Sequence, residues 1–448
     1  MSTPTLRDVA GLLAKKEMTA TEHVRATLHA LDGLLDTPWA NLVAARDDAA
    51  ALEAAARADA EMADGNWIGP LHGIAVAVKD NIDVAGMPPR CGSAVLADVP
   101  PAESDARIVA RLREAGAIIV AKTHLHEFAY GPTGAVNASG PAAHPVDPAL
   151  ITGGSSSGSA ALVARGVVPL ALGTDTGCST RTPAALCGVV GFKPSFDALP
   201  TGGVFPLSTT FDHVGLLAAD VLDVSLAWGA IPGVAHVRTP VAGLRVGRLR
   251  GENWDVADAA IAAAVDAACQ ALADAGAEVI DVELPETPQL LAAYPIITGS
   301  EAYETHRGWF ESVPELYQPP TAALLAAQKD RPAVEYLHAL RTVERLRRQA
   351  LSRLRGSLGL NALITATTPL RAVTQEQALS ADPAVARTPL LRMCSPFNAL
   401  GIPAISAPVT IDVGAPVGVQ LIGLPTTAGG HGSHPAESTA LACALTVG

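Results

Sequence analysis

Two short turns of small residues hold the serines with a chemical use. They are Gly153–Ser159 (GGSSSGS) and Thr174–Ser179 (TDTGCS), joined by an apolar run. A serine hydroxyl is a weak nucleophile until a base takes its proton. Lys79 is a candidate base. It ends the apolar run Leu71–Val78 (LHGIAVAV), so its ammonium is expected to be partly desolvated, which lowers its pKa toward the neutral amine. Taken alone, Lys79 reads more simply as a solvated lysine at a strand end. The turn Thr174–Ser179 is rich in small residues, which leaves successive backbone N–H groups free to converge on an anion. Beside a serine hydroxyl, such amides stabilise a tetrahedral oxyanion.

The Gly154–Gly158 segment (GSSSG) formally matches the G-x-S-x-G nucleophile elbow, which requires a strand directly before it. The preceding His144–Thr152 contains two prolines and does not read as a strand. A serine-rich linker is the other plain reading. It is weakened because Ala160–Val163 at once begins an apolar helix.

The elements that must position these turns follow from periodicity. Leu71–Val78, Ala117–Ala121, Val167–Leu172, Leu244–Leu249, Glu278–Val282, Ala362–Thr365, Ile402–Pro408 and Val417–Leu424 read as strands. Helical spacing marks Leu6–Ala14, Thr19–Leu35 (capped by Thr19 or Thr21 with Glu22), Arg46–Ala63, Asp105–Ala115, Ser159–Arg165 and Val256–Ala275. Glu301–Leu358 reads as proline-broken helix with Leu337, Leu340, Leu346 and Leu351 on one face. Pro183 marks the start of a helix after the second turn. This strand–helix rhythm predicts an α/β protein with helices covering a single large sheet.

The chain has 448 residues, 49% apolar and 17% charged, the balance of a well-buried globular protein. Its net charge of −13 argues against a nucleic-acid or anionic-membrane partner. No secretory pattern opens the chain, and no apolar run reaches the roughly 18 residues of a membrane span. Six scattered cysteines without C-x-x-C spacing fit a reducing, cytoplasmic setting. His124 and His126 lack a third ligand, and His431 and His434 read as part of a Gly/His-rich loop, so no metal is expected.

Three segments together carry a family resemblance: IAVAVKDNIDVAGMPPRCGS, the block GGSSSGSAALVARGVVPLALGTDTGCSTRTPAALCGVVGFKP, and SPFNALGIPAISAP followed by PVGVQLIGLP. They resemble the amidase signature family, in order from about Leu6 to the C-terminus. The resemblance implies one domain over residues 1–448, an α/β/α sandwich around a large mixed sheet. Within it, 1–65 are wrapping helices, 66–225 the signature core and 285–395 a variable, mostly helical pocket wall. It implies a Ser–cisSer–Lys triad in which Ser179 is the nucleophile, Ser155 the bridging serine and Lys79 the base. The cis peptide is expected at Gly154–Ser155 or immediately beside it. Backbone amides of Thr176, Gly177, Cys178 and Ser179 match the oxyanion loop, with Asp175 and Arg181 supporting the turn. Phe128, Tyr130 and Gly131 match the segment lining the acyl pocket, and Phe205, Phe211 and Tyr303–Trp309 are further wall candidates.

The implied activity is hydrolysis of a C–N bond beside a carbonyl in a small, uncharged and partly apolar amide, anilide, hydrazide or carbamate, with esters as a side activity. No cofactor is required, and the chain is expected as a monomer or homodimer. A second reading is the glutamine-hydrolysing subunit of a tRNA-dependent amidotransferase, with Arg371 and Arg392 offered to the substrate carboxylate. Three residues depart from the family pattern: Ala75 for proline, Ser157 for glycine and Cys178 for the glycine before the nucleophile. A positive φ at Cys178 would strain it. Its thiol is the alternative nucleophile.

Overall fold

The apolar runs fold into one mixed sheet, eleven-stranded among the described residues. The computed structural model describes residues 5–234, 237–380, 382–409, 417–425 and 435–447, so His431 and His434 lie outside it. The strands are β1 (Val43–Ala45), β2 (Ala75–Lys79), β3 (Ile118–Thr123), β4 (Leu170–Thr174), β5 (Val190–Lys193), β6 (Val214–Ala218), β7 (Arg245–Leu249), β8 (Glu278–Val282), β9 (Ala362–Ala366), β10 (Ala404–Val409) and β11 (Val417–Gly423). Across the sheet they run β1-β3-β2-β4-β6-β5-β10-β11-β9-β7-β8. Strand β2 lies parallel between β3 and β4, and β7 lies parallel between β8 and β9. The remaining pairings are antiparallel.

Every residue of β2, β3 and β4 is buried, as expected for strands covered by helices on both faces. The helix Ser157–Ala164 packs against these three strands and is itself buried from Ser157 to Val163. Gly158 permits the approach. A Cβ there would come within 2.6 Å of His124 N and Leu42 O. Strands β5 and β6 are not among the strands expected from the sequence. Their Gly191 and Gly215 face the turn, where a Cβ would come within 2.5 Å of Thr180.

Two of the N-terminal helices, Leu6–Ala14 and Ala20–Asp32, each start at a reciprocal cap, Thr5 with Asp8 and Thr19 with Glu22. The Asp223 carboxylate accepts hydrogen bonds from Leu6 N and Arg7 N, which holds the first helix to the body of the protein. In the 285–395 region, the first helix begins earlier than expected. It runs Thr287–Ser312 and continues through Pro295. It is followed by Pro319–Ala326 and Ala333–Leu351. The buried stripe of the last helix is Ala339, Val343, Leu346 and Ala350. Of the expected leucine face, Leu346 is buried and Leu340 and Leu351 are half-buried against the core, whereas Leu337 is 48% exposed.

Candidate active site

Lys79 is the last residue of β2, and Thr174 the last of β4. The two strands end together, with the serine loop laid across them. Lys79 Nζ stands 2.7 Å from Ser155 Oγ and 2.6 Å from Thr174 Oγ1. Asn81 Nδ2 also donates to Thr174 Oγ1, at 3.2 Å. The peptide Gly154–Ser155 is cis. Lys79 is fully enclosed, and burial lowers its pKa from 10.5 to about 7, against the opposing charges of Asp175 and Asp212. Thr174 and Asn81 were not singled out from the sequence. Their signal was position alone, each sitting at the end of a strand–turn segment that was.

The second turn is tied to the first. Ser156 N donates to Ser179 O at 3.1 Å, and Thr174 N donates to Ser156 Oγ at 3.2 Å. Thr180 N donates to Asp175 Oδ2 at 3.0 Å, and Thr182 N to Cys178 O at 2.8 Å. By contrast, the amides of Thr176, Gly177, Cys178 and Ser179 have no acceptor among the described residues. Four successive unpartnered N–H groups beside a serine form an anion-binding concavity. Thr176 Oγ1 donates to Asp212 Oδ1 at 2.6 Å, which pins the turn from behind. Burial raises Asp212 to about 6.

Asp175 and Arg181 are both wholly buried and pair at 2.8 and 3.0 Å. The guanidinium also donates to Asn398 Oδ1 at 2.6 Å, Gln420 Oε1 at 2.6 Å and Cys394 O at 3.1 Å. Asn398 Nδ2 returns a bond to Asp175 Oδ1 at 2.8 Å. Burial disfavours the Asp175 charge, but Arg181 overrides it and holds the carboxyl well below the usual range. A fully partnered ion pair of this kind fixes the turn's geometry, because breaking it would leave a charge stranded in the interior.

The condition under which Cys178 would be strained is not met. The described non-glycine residues with positive φ are Lys16, Cys91, Phe128, Ala129 and Asp197, so cysteine at 178 carries no such strain. Its side chain is fully buried with Sγ 3.9 Å from Gly154 O, and burial pushes the thiol far above its usual range. It does not reach the cavity. These surroundings disfavour a thiolate nucleophile.

Ser179 and Thr176 open onto a cavity of about 440 Å³. Tyr130 and Gly131 line it, and most of the other lining residues come from 285–395. Phe128 does not. It adopts φ 51° and packs its ring against Phe205, His306 and Tyr317 behind the wall. Phe205 belongs to that aromatic cluster, and Phe211 stacks in the core on Tyr294. Tyr303 pairs with Phe310, and Trp309 is 39% exposed. The aromatic residue on the wall is instead Tyr294, whose hydroxyl sits so close to Gly177 that a Cβ there would meet it at 2.3 Å. Arg371 is also away from the cavity, paired with Asp258 at 2.9 Å, whereas Arg392 lines it together with the unanticipated Arg387. His124 bonds Ser157 Oγ and Gly140 O, and no grouping of three His, Cys, Asp or Glu suited to a metal occurs among the described residues.

A lysine is thus hydrogen-bonded to the serine of a cis peptide, near a turn whose amides have no acceptor among the described residues. The family model described as Amidase matches residues 22–427. The chain belongs to the amidase signature family. It is accordingly an amidohydrolase by family. It is 35% identical over 428 residues to AtzE of Pseudomonas sp. strain ADP, a 1-carboxybiuret hydrolase subunit, covering 90% of each chain. It is 31% identical to a glutamyl-tRNA(Gln) amidotransferase subunit from Carboxydothermus hydrogenoformans, covering 94% of this chain and 93% of that one. The structure superposes on native peptide amidase from Stenotrophomonas maltophilia with a TM-score of 0.83 at 26% identity, over 99% of this chain and 96% of the other.

Proposed function

We propose that this amidase signature protein hydrolyses a C–N bond adjacent to a carbonyl in a small, partly apolar substrate. Primary amides, anilides, hydrazides and carbamates are the classes in view, with esters as a side activity. The observation that carries the reading is the enclosed 2.7 Å contact between Lys79 Nζ and Ser155 Oγ.

A neutral Lys79 amine donates one N–H to Thr174 Oγ1 and offers its lone pair to the Ser155 hydroxyl. Ser155 gives its proton to Nζ and takes the proton of Ser179 Oγ–H. Ser179 Oγ then bonds to the carbonyl carbon, and the π pair moves onto the oxygen. The amides of Thr176, Gly177, Cys178 and Ser179 receive that charge. When the tetrahedral intermediate collapses, the C–N bond breaks. The leaving nitrogen takes a proton from Ser155, which is resupplied by Lys79. Water repeats the sequence on the acyl-enzyme. Asp175 and Arg181 act through the turn by holding its shape.

The second reading, a glutamine-hydrolysing subunit that works within a complex, is favoured by the likeness to the amidotransferase protein over nearly the whole chain. The two separate in one assay. The purified chain is given a primary amide, an anilide, a carbamate, an ester and free glutamine. The hydrolase reading predicts turnover of the first classes without a partner, and a fall of about 10⁴-fold or more in kcat for Ser179→Ala. Undiminished activity in Ser179→Ala would overturn the mechanism. Turnover of glutamine alone would establish the second reading.

A further inference from the structure

The cavity beside Ser179 is cationic in an anionic protein. Among the described residues that line it, the charged side chains are Arg387 and Arg392, although the chain as a whole carries −13. Both sit on the short helix Arg387–Arg392 that closes one wall. Arg387 is fixed from one side. Its Nη1 donates to Tyr130 O at 3.1 Å, and its guanidinium lies over the Tyr130 ring with Cζ 5.5 Å from the centroid. Arg392 has one long contact, Nη2 to Asp255 O at 3.5 Å, and its Nε is buried with no acceptor.

Two described carboxylates near these arginines in sequence or through Asp255 O are engaged elsewhere. Asp255 pairs with Arg250 at 3.1 Å and accepts from Gly251 N. Asp382 accepts from Ala384 N at 2.9 Å. A second group also lacks a partner. Ser395 lines the cavity, is 1% exposed, and its Oγ has no partner. A desolvated guanidinium N–H and a buried hydroxyl are both costly to leave without an acceptor. A carboxylate brings two acceptor oxygens into the cavity, and the fork of a guanidinium matches it.

We propose that the substrate bears a carboxylate in addition to the scissile amide, and no ammonium group, with the carboxylate held by Arg387 and Arg392. The cavity has cations for the first and, among the described lining residues, no acid for the second. This revises the uncharged substrate expected from sequence and tells against free amino acids such as glutamine. It rests on the reading of Ser179 as the reacting residue for its placement of the amide, whereas the anion subsite stands on the arginines.

The test compares succinamate with butyramide, which puts a methyl in place of the carboxylate, and with glutamine. Wild-type kcat/KM is expected to be about 10–100-fold higher for succinamate than for butyramide, the range of one charge-assisted contact. Glutamine should fall below succinamate. Salt should shrink the ratio. The double variant Arg387→Met, Arg392→Met should bring it close to one, and Arg392→Lys should retain part of it. Circular dichroism verifies that each variant is folded. A wild-type ratio of one or less, or a ratio unmoved in the double variant, overturns the proposal. Calorimetry on Ser179→Ala separates the two readings. If no amide is turned over, the hydrolase reading fails, yet succinamate binding about tenfold tighter than butyramide, lost in the double arginine variant, still supports the subsite. Equal binding of the two overturns it.

Discussion

Turnover should depend on pH through Lys79, and the structure sets where. Enclosure lowers this amine from 10.5 to about 7. That difference amounts to about 5 kcal/mol against the ammonium form. At pH 8 about nine-tenths of such a group is neutral, while a solvated lysine would be neutral in well under one part in a hundred. With an uncharged primary amide, kcat/KM should therefore climb through a single ascending limb with its midpoint near 7, then level off. The assay is ammonia release between pH 5 and 10 at constant ionic strength, with circular dichroism at each end. A limb still climbing at pH 10 refutes Lys79 as a buried neutral base. The same shift has a stability signature of definite sign. Between pH 7 and 10.5 the unfolded chain holds the Lys79 proton and the folded chain does not, so stability from this group rises with pH across that window. Below 7 the whole cost is present. Lys79→Met removes it, but leaves Ser155 and Thr174 short of a partner, a loss of about 1–3 kcal/mol. The variant is expected to be inactive yet more stable at pH 7 by about 2 kcal/mol, a gain absent above pH 10.5 in urea melts.

Three further outcomes follow from the surroundings of the site. Asp212 opposes the lowering of the Lys79 pKa, so Asp212→Asn should move the midpoint of the ascending limb to lower pH; a shift to higher pH would contradict the field assigned to it. Arg181→Met strands the Asp175 carboxylate in the interior and should cost about 3–5 kcal/mol in thermal or urea unfolding, unlike a surface arginine such as Arg57. All six cysteines are buried, and the Cys178 thiol is held protonated, so iodoacetamide should leave the native enzyme active. Loss of activity in step with labelling at Cys178 would reverse that conclusion.

Strands β2, β3 and β4 were legible because each is an apolar run between turns, and the hydrophobic effect acts on such runs wherever the chain carries them. Strands β5 and β6 were not read, although Val214–Ala218 of β6 is an apolar run of the same kind. Gly191 and Gly215 are needed for close approach to Thr180, and that requirement is invisible until the turn is placed above them. Lys79, Ser155 and Ser179 were named from the family block, and their spacing along the chain says nothing of which atoms meet. The contact of Nζ with Thr174 depends on two parallel strands ending at the same level. The wall was the least legible part. Phe205, Phe211 and Trp309 are aromatic in sequence but face the core or solvent, while Tyr294 and Arg387 reach the cavity because of how the Thr287–Ser312 and Arg387–Arg392 helices are turned. Side-chain type alone does not report that rotation.

The middle of the sheet is made last. Strands β10 and β11 come at the end of the chain, yet β10 pairs with β5 and β11 with β9, so this hairpin is the seam between two half-sheets. The Arg181 hub draws on β11 through Gln420, and on the residues just before the hairpin through Cys394 and Asn398. A ribosome releases residues in order, so an emerging chain can hold the lysine and both serines long before it can hold their support. Until the hairpin arrives, β5 and β9 are open edges, the kind of surface that pairs with the wrong neighbour. The fold thereby ties its chemistry to completion: a nascent or truncated product lacking Ala404–Gly423 has every proposed catalytic residue, no seam, and two edges exposed to aggregation.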